Sequence, residues 1–249
     1  GRRGIDVEGH AVVMWRPGLD PAAVARLAEA GRGTVRQVTL APELPGGLAA
    51  TAQFVAAGVA VAVGHTNATE AEASAAFDAG ATLLTHAFNA MPGIHHRAPG
   101  PVVAAMRDER VTLELIADGI HVHPDVIALA FAVAPGRIAL ITDAMGAAGE
   151  PDGAYELGGL AVTVTDGVAR LDEGGAIAGS TLTQDAALRL VVAGGLPVAD
   201  AVAALTSVPA RAIGLAGRYG SLRPGAAADA VLLDDALPVA GVWVDGARV

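Results

Sequence analysis

Short apolar runs alternate with alanine-rich segments along the first 145 residues. The runs, rich in β-branched residues, are Thr34–Leu40, Gly58–Val63, Thr82–Thr85, Val111–Ile116 and Ile138–Thr142. Between them, apolar residues recur at helical spacing in Pro21–Ala30, Leu48–Ala57, Ala68–Ala79 and Pro124–Val133. Nearly continuous apolar strands that alternate with helices indicate a parallel sheet covered on both faces. The pattern suits a doubly wound sheet or a (β/α)8 barrel.

After Asp143 the pattern changes to turns and shorter strands. Gly-Gly and Asp-Gly pairs interrupt the segment Tyr155–Gly179, which predicts a β-hairpin insertion. Two helices are expected over Thr181–Ala193 and Val198–Leu215, and short strands with turns over Gly220–Val249. The C-terminal part therefore adds small β-rich pieces to the α/β pattern.

Composition narrows the possible chemistry of any site. The chain has 249 residues, of which 53% are hydrophobic, enough for one large α/β domain or two small ones. It has no cysteine, so a metal must bind to His, Asp or Glu, and a reducing cytoplasm is the expected location. The net charge of −10 argues against nucleic acid as a partner, and no apolar run predicts a membrane span.

Four of the five predicted strands end next to a residue that can bind a metal or move a proton. Val63 leads to His65, Thr85 to His86, Ala117 to Asp118 and His121, and Thr142 to Asp143. The carboxyl ends of parallel strands share one edge, so these side chains can become neighbours. Taken singly, a strand-end histidine is more often a hydrogen-bonded structural residue, and Asp143 could cap a turn. Their coincidence on successive strands favours metal-assisted hydrolysis.

The residue types suggest how such a site would work. Neutral imidazoles bind zinc-like cations, and a catalytic site keeps one position open for water. The cation lowers the pKa of that water and polarises a carbonyl, while a nearby carboxylate moves the proton. Asp143 is the predicted general base and acid, because Ala144-Met145-Gly146 continues as a loop after it.

Several longer motifs carry a resemblance to a known family. They are Gly64–Thr69 (GHTNAT), Thr85–Pro92 (THAFNAMP), Ala117–Val122, Ile141–Ala144, Ile177–Thr183, Pro209–Gly214 and Gly220–Gly225. From about residue 20 to 249 the chain resembles the amidohydrolase superfamily and, within it, the N-acetylglucosamine-6-phosphate deacetylases. The GHTNAT and HAFNAMP pair is the most specific part of this match.

The resemblance implies a fold, a reaction and a site. The fold is a partial (β/α)8 TIM-type barrel over residues 1–215, incomplete at its N-terminus, with residues 216–249 contributing strands to a small β domain. The reaction is hydrolysis of N-acetylglucosamine 6-phosphate to glucosamine 6-phosphate and acetate by metal-activated water. A divalent metal ion, with zinc favoured, and a homodimer are also implied.

Roles carry over by motif position. His65 and His86 match the family's metal-binding histidines, and Asp143 matches its catalytic acid and base. The predicted substrate-binding residues are Asn89, Ala90, Arg97, His121, Ile177, Ala178 and Gly179. Asn89, Ala90 and Arg97 match phosphate-binding groups, and the arginine is expected to reach the substrate of the neighbouring subunit. A planar guanidinium suits that role, because it can hold phosphate through two hydrogen bonds.

The N-terminal segment departs from the family pattern. Glu8, in Ile5–His10, resembles the family's metal-binding glutamate, but its spacing to His65 is short. A competing alignment places the true glutamate before the chain begins, with about three barrel strands missing. Two rival functions also stay open. One is an amidohydrolase of cyclic amides, although such enzymes usually have a bridging modified lysine and all 16 basic residues here are arginine. The other is a catalytically silent sugar-phosphate-binding protein.

Overall fold

A sheet of seven strands forms the centre of the protein. A computed structural model describes residues 3–5, 11–14, 21–31 and 33–249. The strands lie in the order of the sequence, and β2 to β7 are parallel, whereas β1 is antiparallel to β2. They are β1 Arg3–Ile5, β2 Ala11–Met14, β3 Gln37–Leu40, β4 Ala60–Val63, β5 Leu83–Leu84, β6 Thr112–Ile116 and β7 Ile138–Ile141.

Eight helices connect or follow these strands in the described part of the chain. They are α1 Pro21–Gly31, α2 Gly47–Ala56, α3 Glu70–Asp78, α4 Gly100–Arg107, α5 Pro124–Val133, α6 Gln184–Ala193, α7 Val198–Leu205 and α8 Ser207–Ala212. Helix α3 begins with a capping box, in which the Thr69 hydroxyl and the Glu72 carboxylate each accept the other's backbone N–H. None of the described helices is both long and apolar enough to cross a bilayer.

The order of the strands decides between the two architectures that the sequence allowed. A doubly wound sheet reverses its strand order at a switch point, whereas a (β/α)8 barrel adds each strand beside the one before it. Here β2 to β7 follow one another without reversal, and they make up part of the eight parallel strands of a complete barrel. The predicted fold class, a partial barrel, is therefore confirmed.

Two small antiparallel sheets follow the parallel one. Strands β8 Gly153–Leu157, β9 Leu160–Thr165 and β10 Val168–Leu171 form the first; β11 Ala230–Leu233, β12 Val239–Val244 and β13 Ala247–Arg248 form the second. Asp166 and Gly167 have left-handed backbones, with φ of 51° and 73°, as the tight turn between β9 and β10 requires. The predicted hairpin and the short strands of the tail are confirmed, while the domain boundary at residue 215 stays a prediction.

Two helices differ from the sequence prediction. The predicted helix over Val198–Leu215 is broken at Thr206, because Pro209 has no N–H to donate to the Leu205 carbonyl. Helix α4, which the pattern did not predict, begins between Pro99 and Pro101. Its two prolines made this segment look like a loop in the sequence. They still allow a helix to begin here, because proline interrupts a helix only after its first turn.

Arg137 joins the start of β7 to the end of α4. Its guanidinium donates to the backbone carbonyls of Ala105, Met106, Asp108 and Val111 at 2.6–3.1 Å. The last carbonyls of a helix have no partner within the helix, and a cationic donor stabilises them. One half-buried side chain thereby fixes the connection between α4 and β6.

We predict that Arg137→Met lowers the free energy of unfolding by about 2–4 kcal/mol, because it leaves several carbonyls without their charged donor. Arg107→Met is the matched control. Arg107 ends the same helix but is 76% exposed, and its contact with Glu70 is 3.6 Å, so its loss should change stability by less than about 0.5 kcal/mol. Urea unfolding followed by circular dichroism measures both, and equal losses would contradict the role given to Arg137.

Candidate active site

The register of two parallel strands brings His65 and His86 together. Val63 of β4 pairs with Leu84 of β5, and each histidine lies two residues beyond its member of that pair. Their Nε2 atoms are 2.8 Å apart, and their rings meet edge to face with centroids 4.6 Å apart. His86 is buried, at 4% exposure, and its Nδ1 has no hydrogen-bond partner among the described residues. The two imidazoles predicted to bind a metal are therefore in contact.

The strand ends that carry the predicted site have an unusual backbone. His65, His86 and Asp143 have positive φ values of 47°, 30° and 49°, and Phe88 and Ala90 are also left-handed. Such conformations cost roughly 1–3 kcal/mol at residues other than glycine and persist only where surrounding contacts fix them. Strain of this kind is concentrated at functional sites.

Close packing behind His65 supports the same turn. A Cβ atom on Gly64 would lie 2.7 Å from the Thr85 Cβ and 2.8 Å from the Thr39 Cγ2, so only glycine fits between these threonines. The hydroxyls of Thr39 and Thr85 are hydrogen-bonded to each other at 2.9 Å. The ends of β3, β4 and β5 are therefore held at close range.

His121 is held in one orientation by Asp118. The Asp118 carboxylate lies 2.6 Å from the His121 Nδ1 and also accepts the backbone N–H groups of Ile120 and His121 at 2.8 Å. Burial opposes ionisation of Asp118, but these hydrogen bonds outweigh it and lower the pKa of the carboxyl. Because a carboxylate accepts, Nδ1 carries a proton, and Nε2 takes no part in this contact. The sequence indicated Asp118 only as a strand-end residue that can bind a metal or move a proton; the three-residue spacing to His121 could have suggested that it orients the imidazole.

Asp143 is exposed and adjoins segment 177–179, which the sequence predicts to bind the substrate. Its carbonyl accepts the N–H of Ser180 at 2.8 Å, and Met145 donates its N–H to the Ser180 carbonyl at 2.9 Å. Gly179 has φ of 66°, and a Cβ there would lie 3.0 Å from the Asp143 carbonyl oxygen. The buried Ala178 donates its N–H to Ala169 of β10. Segment 177–179 therefore links the small sheet of β8–β10 to the strand end that carries Asp143.

The predicted phosphate-binding residues are placed differently from one another. Asn89 donates from its amide to the carbonyls of His86 and Ala87 at 3.3 Å, and Ala90 accepts the Thr66 N–H at 3.1 Å. These two residues belong to the turn that carries His86. Arg97 is exposed, and its guanidinium has no hydrogen bond or ion pair within the described part of the chain. Arg97 is thus available to a ligand or to another protomer.

Glu114 is a buried carboxylate that the sequence analysis missed. It lies on β6 between Leu113 and Leu115, which pack in the main apolar core, so it points to the other face of the sheet. The side-chain amide of Gln37 donates to its Oε1 at 2.8 Å. Burial raises the pKa of Glu114 to about 7; the charge of Asp143 adds to the rise, and hydrogen bonds from Gln37 and the His86 backbone oppose it. A lone polar residue inside the run Thr112–Ile116 could have suggested this placement.

His65 and His86 together offer two of the ligands that a cation site needs. Imidazole nitrogen is a preferred zinc ligand, and a catalytic zinc has three protein ligands. Across residues 21–31 and 33–249, no three His, Asp or Glu side chains are grouped closely enough to hold a metal ion. The third predicted ligand, Glu8, lies outside the described residues. His65 and His86 therefore supply two of the predicted donors, and Glu8 as the third stays a prediction.

Comparisons with known proteins agree with this fold. Residues 25–249 match the model of the amidohydrolase family. An N-acetylgalactosamine-6-phosphate deacetylase of Escherichia coli O157:H7 is 47% identical over 95% of this chain. An N-acetylglucosamine-6-phosphate deacetylase of Vibrio furnissii is 38% identical over 86% of it. A solved structure of the N-acetyl-D-glucosamine-6-phosphate deacetylase of Mycobacterium smegmatis superimposes on 92% of this chain with a TM-score of 0.88 and 50% identity. That structure is of an aspartate-to-alanine mutant in complex with N-acetyl-D-glucosamine-6-phosphate.

The chain is shorter than these relatives. It spans 63% of the Escherichia coli protein, 53% of the Vibrio protein and 61% of the Mycobacterium chain.

We predict that Glu114→Gln removes a pH dependence of stability in chelator-treated protein. The unfolded carboxyl has a pKa of 4.5 and the folded one about 7, so between these values the folded state binds one more proton. The free energy of unfolding should therefore fall as pH rises from 4.5 to 7 and stay low above 7. Between pH 4.5 and 8 the variant should gain roughly 3 kcal/mol relative to the parent.

Unfolding by urea across this pH range tests the prediction, with Glu109→Gln, an exposed residue just before the same strand, as the control. A difference between Glu114→Gln and the parent that does not change with pH would contradict it.

Proposed function

Because the chain belongs to the amidohydrolase family, we propose that it carries the active site of a metal-dependent deacetylase of an N-acetylated amino sugar 6-phosphate, with N-acetylglucosamine 6-phosphate as the preferred substrate. The products would be glucosamine 6-phosphate and acetate, in amino-sugar catabolism. The observation that carries the proposal is the contact between the His65 and His86 Nε2 atoms, which come from successive strand ends and face each other at 2.8 Å.

His65 and His86 would hold the divalent cation, with zinc as the proposed ion and Glu8 as the proposed third ligand. Their neutral imidazole nitrogens suit zinc, and no cysteine is present to compete as a ligand. When bound, such an ion supplies Lewis acidity toward the acetamide carbonyl and toward water.

Proton transfer is assigned to Asp143. A carboxylate acts as a general base when it takes a proton from the attacking water, and as a general acid when it returns that proton to the leaving amine. Asp143 is exposed at the same strand-end edge as the histidines, and its backbone is fixed by Ser180. Because Asp118 orients the ring through Nδ1, we assign the His121 Nε2 to the acetamide carbonyl oxygen; in the doubly protonated ring its N–H would donate to that oxygen and stabilise the developing charge.

The remaining predicted residues would bind the sugar and its phosphate. The turn at Asn89 and Ala90 and the guanidinium of Arg97 are the proposed phosphate ligands, and Ile177, Ala178 and Gly179 the proposed wall of the sugar pocket. We propose that Arg97 serves the site of a second protomer in a homodimer, since its guanidinium lacks a partner within its own described chain. A cytoplasmic location belongs to the same proposal.

The epimeric substrate, N-acetylgalactosamine 6-phosphate, is the second candidate. The relative from Escherichia coli O157:H7, at 47% identity, is named for it. The two sugars differ in the orientation of one hydroxyl, and a pocket built to hydrogen-bond that hydroxyl can discriminate strongly between them. The ratio of kcat/KM for the two sugar phosphates, measured as acetate release, decides between them.

We predict that Asp143→Asn lowers kcat by about 100-fold or more, because the amide cannot accept a proton, while bound metal stays near the parental amount. Acetate release and metal analysis of the purified protein measure the two effects. Asp200→Asn, an exposed change in the first turn of α7, is the control and should keep both. Parental turnover by Asp143→Asn would refute the assignment.

We predict that Arg97→Met raises KM for the 6-phosphorylated sugar about 10-fold or more, because a charge-assisted contact to phosphate is lost. Activity toward N-acetylglucosamine itself, which has no phosphate, should be the same in the variant and the parent. Arg107→Met, a change at another exposed arginine, should leave both values unchanged. An equal loss on both sugars would argue against phosphate binding by Arg97.

A further inference from the structure

A single carboxylate fastens the loop that follows His65. Glu43 lies three residues beyond the end of β3, and its Oε2 accepts the Thr66 hydroxyl at 2.5 Å. Its Oε1 accepts the backbone N–H of Asn67 at 2.7 Å. Both donors come from the residues directly after His65, so the two oxygens of one side chain hold the exit from that turn.

Thr66 passes this restraint on to the next strand end. Its buried hydroxyl, besides donating to Glu43, accepts the N–H of Ala68 at 2.9 Å. Its own N–H donates to the carbonyl of Ala90 at 3.1 Å. Ala90 lies in the turn that also carries His86. The hydrogen bonds that begin at Glu43 therefore run from the end of β3, past His65, to the turn after β5.

These hydrogen bonds lie next to residues with left-handed backbone conformations. His65 has φ of 47° and Ala90 φ of 49°, conformations that side-chain-bearing residues keep only when neighbouring contacts fix them. Hydrogen bonds to an ionised carboxylate are stronger than those between neutral groups. Within the described residues Glu43 does not form a metal-binding group with two other His, Asp or Glu side chains, so its effect reaches the histidines through the loop.

We propose that Glu43 is a positioning residue, which fixes His65 relative to His86 and to the Ala90 turn through its two hydrogen bonds to Thr66 and Asn67. The proposal rests on the proposed function, because it takes the two imidazoles to be cation ligands. Groups that orient a metal ligand typically contribute 10- to 100-fold to metal affinity.

The test measures the affinity of the full chain for Zn²⁺ by competition with a chromogenic chelator. Glu43→Ala removes both acceptors and should weaken binding about 10-fold or more. Glu43→Gln keeps one oxygen for the Asn67 N–H and can donate to the Thr66 hydroxyl, so it should restore part of the affinity. Glu173→Gln, an exposed change in the turn after β10, is the control and should bind as the parent does.

Thr66→Val supplies the second arm. It keeps the shape of the side chain but removes the hydroxyl, so it should weaken Zn²⁺ binding in the same direction as Glu43→Ala. The double variant should lose less than the product of the two single effects, since both break the same contact. Urea unfolding of the metal-free proteins separates positioning from folding: the midpoints should change little while Zn²⁺ affinity falls.

Each outcome bears on a definite claim. Parental Zn²⁺ affinity in Glu43→Ala overturns the positioning role, and so does a loss of affinity that the loss of folding stability fully accounts for. A parental chain that binds Zn²⁺ but releases no acetate from either sugar phosphate refutes the proposed function and leaves the affinity test of Glu43 intact. A parental chain that binds no Zn²⁺ overturns both.

Discussion

The hydrogen-bonded register between β4 and β5 is the constraint on which the candidate site depends. It pairs Val63 with Leu84, so the side chains two residues further along each strand emerge at the same level of the same sheet edge. The contact between the two imidazoles follows from that register. Val61 and Val63 of β4 pack in the main apolar core, while Ala62 is buried on the opposite face, so a shift of one residue would exchange the side chains of two differently packed faces. The backbone pairing of β4 with β5 therefore sets the positions of His65 and His86 relative to each other.

Around this pair, the edge of the sheet combines strained backbone with fixed carboxylates. His65, His86 and Asp143 all have left-handed conformations, and each adjoins a segment held by hydrogen bonds from another strand end. The carboxylates of Asp118 and Glu43 accept backbone N–H groups and thereby hold the loops after β6 and β4, respectively, in place. Asp143, the proposed proton-transfer group, is exposed. Burial and hydrogen-bond partners therefore distinguish Asp118 and Glu43, which hold loops, from Asp143.

The family relationship explains why so much of a site is found in a chain of this length. The matched region begins near α1 and runs to the last residue, and it includes the strands that carry the histidines, Asp118 and Asp143. In a (β/α)8 barrel, active-site residues come from the ends of several strands, so a part of the barrel carries a part of the site. The described residues supply the imidazole pair and the proposed proton-transfer group, Asp143, whereas Glu8, the proposed third metal ligand, lies outside them.

The sequence by itself determined β3 to β7 and their alternation with helices, and it selected His65, His86 and Asp143 as candidate site residues, because apolar runs and the residues that end them are local patterns. It also placed the tight turn at Asp166 and Gly167, where the residue types dictate the backbone. Only the tertiary structure decided that His86 is buried, that Glu114 lies inside the sheet beside Gln37, and that Glu43 holds the loop after His65. Those contacts join residues 77 and 23 positions apart, and no local pattern encodes which side chains of different strands and loops meet in the fold.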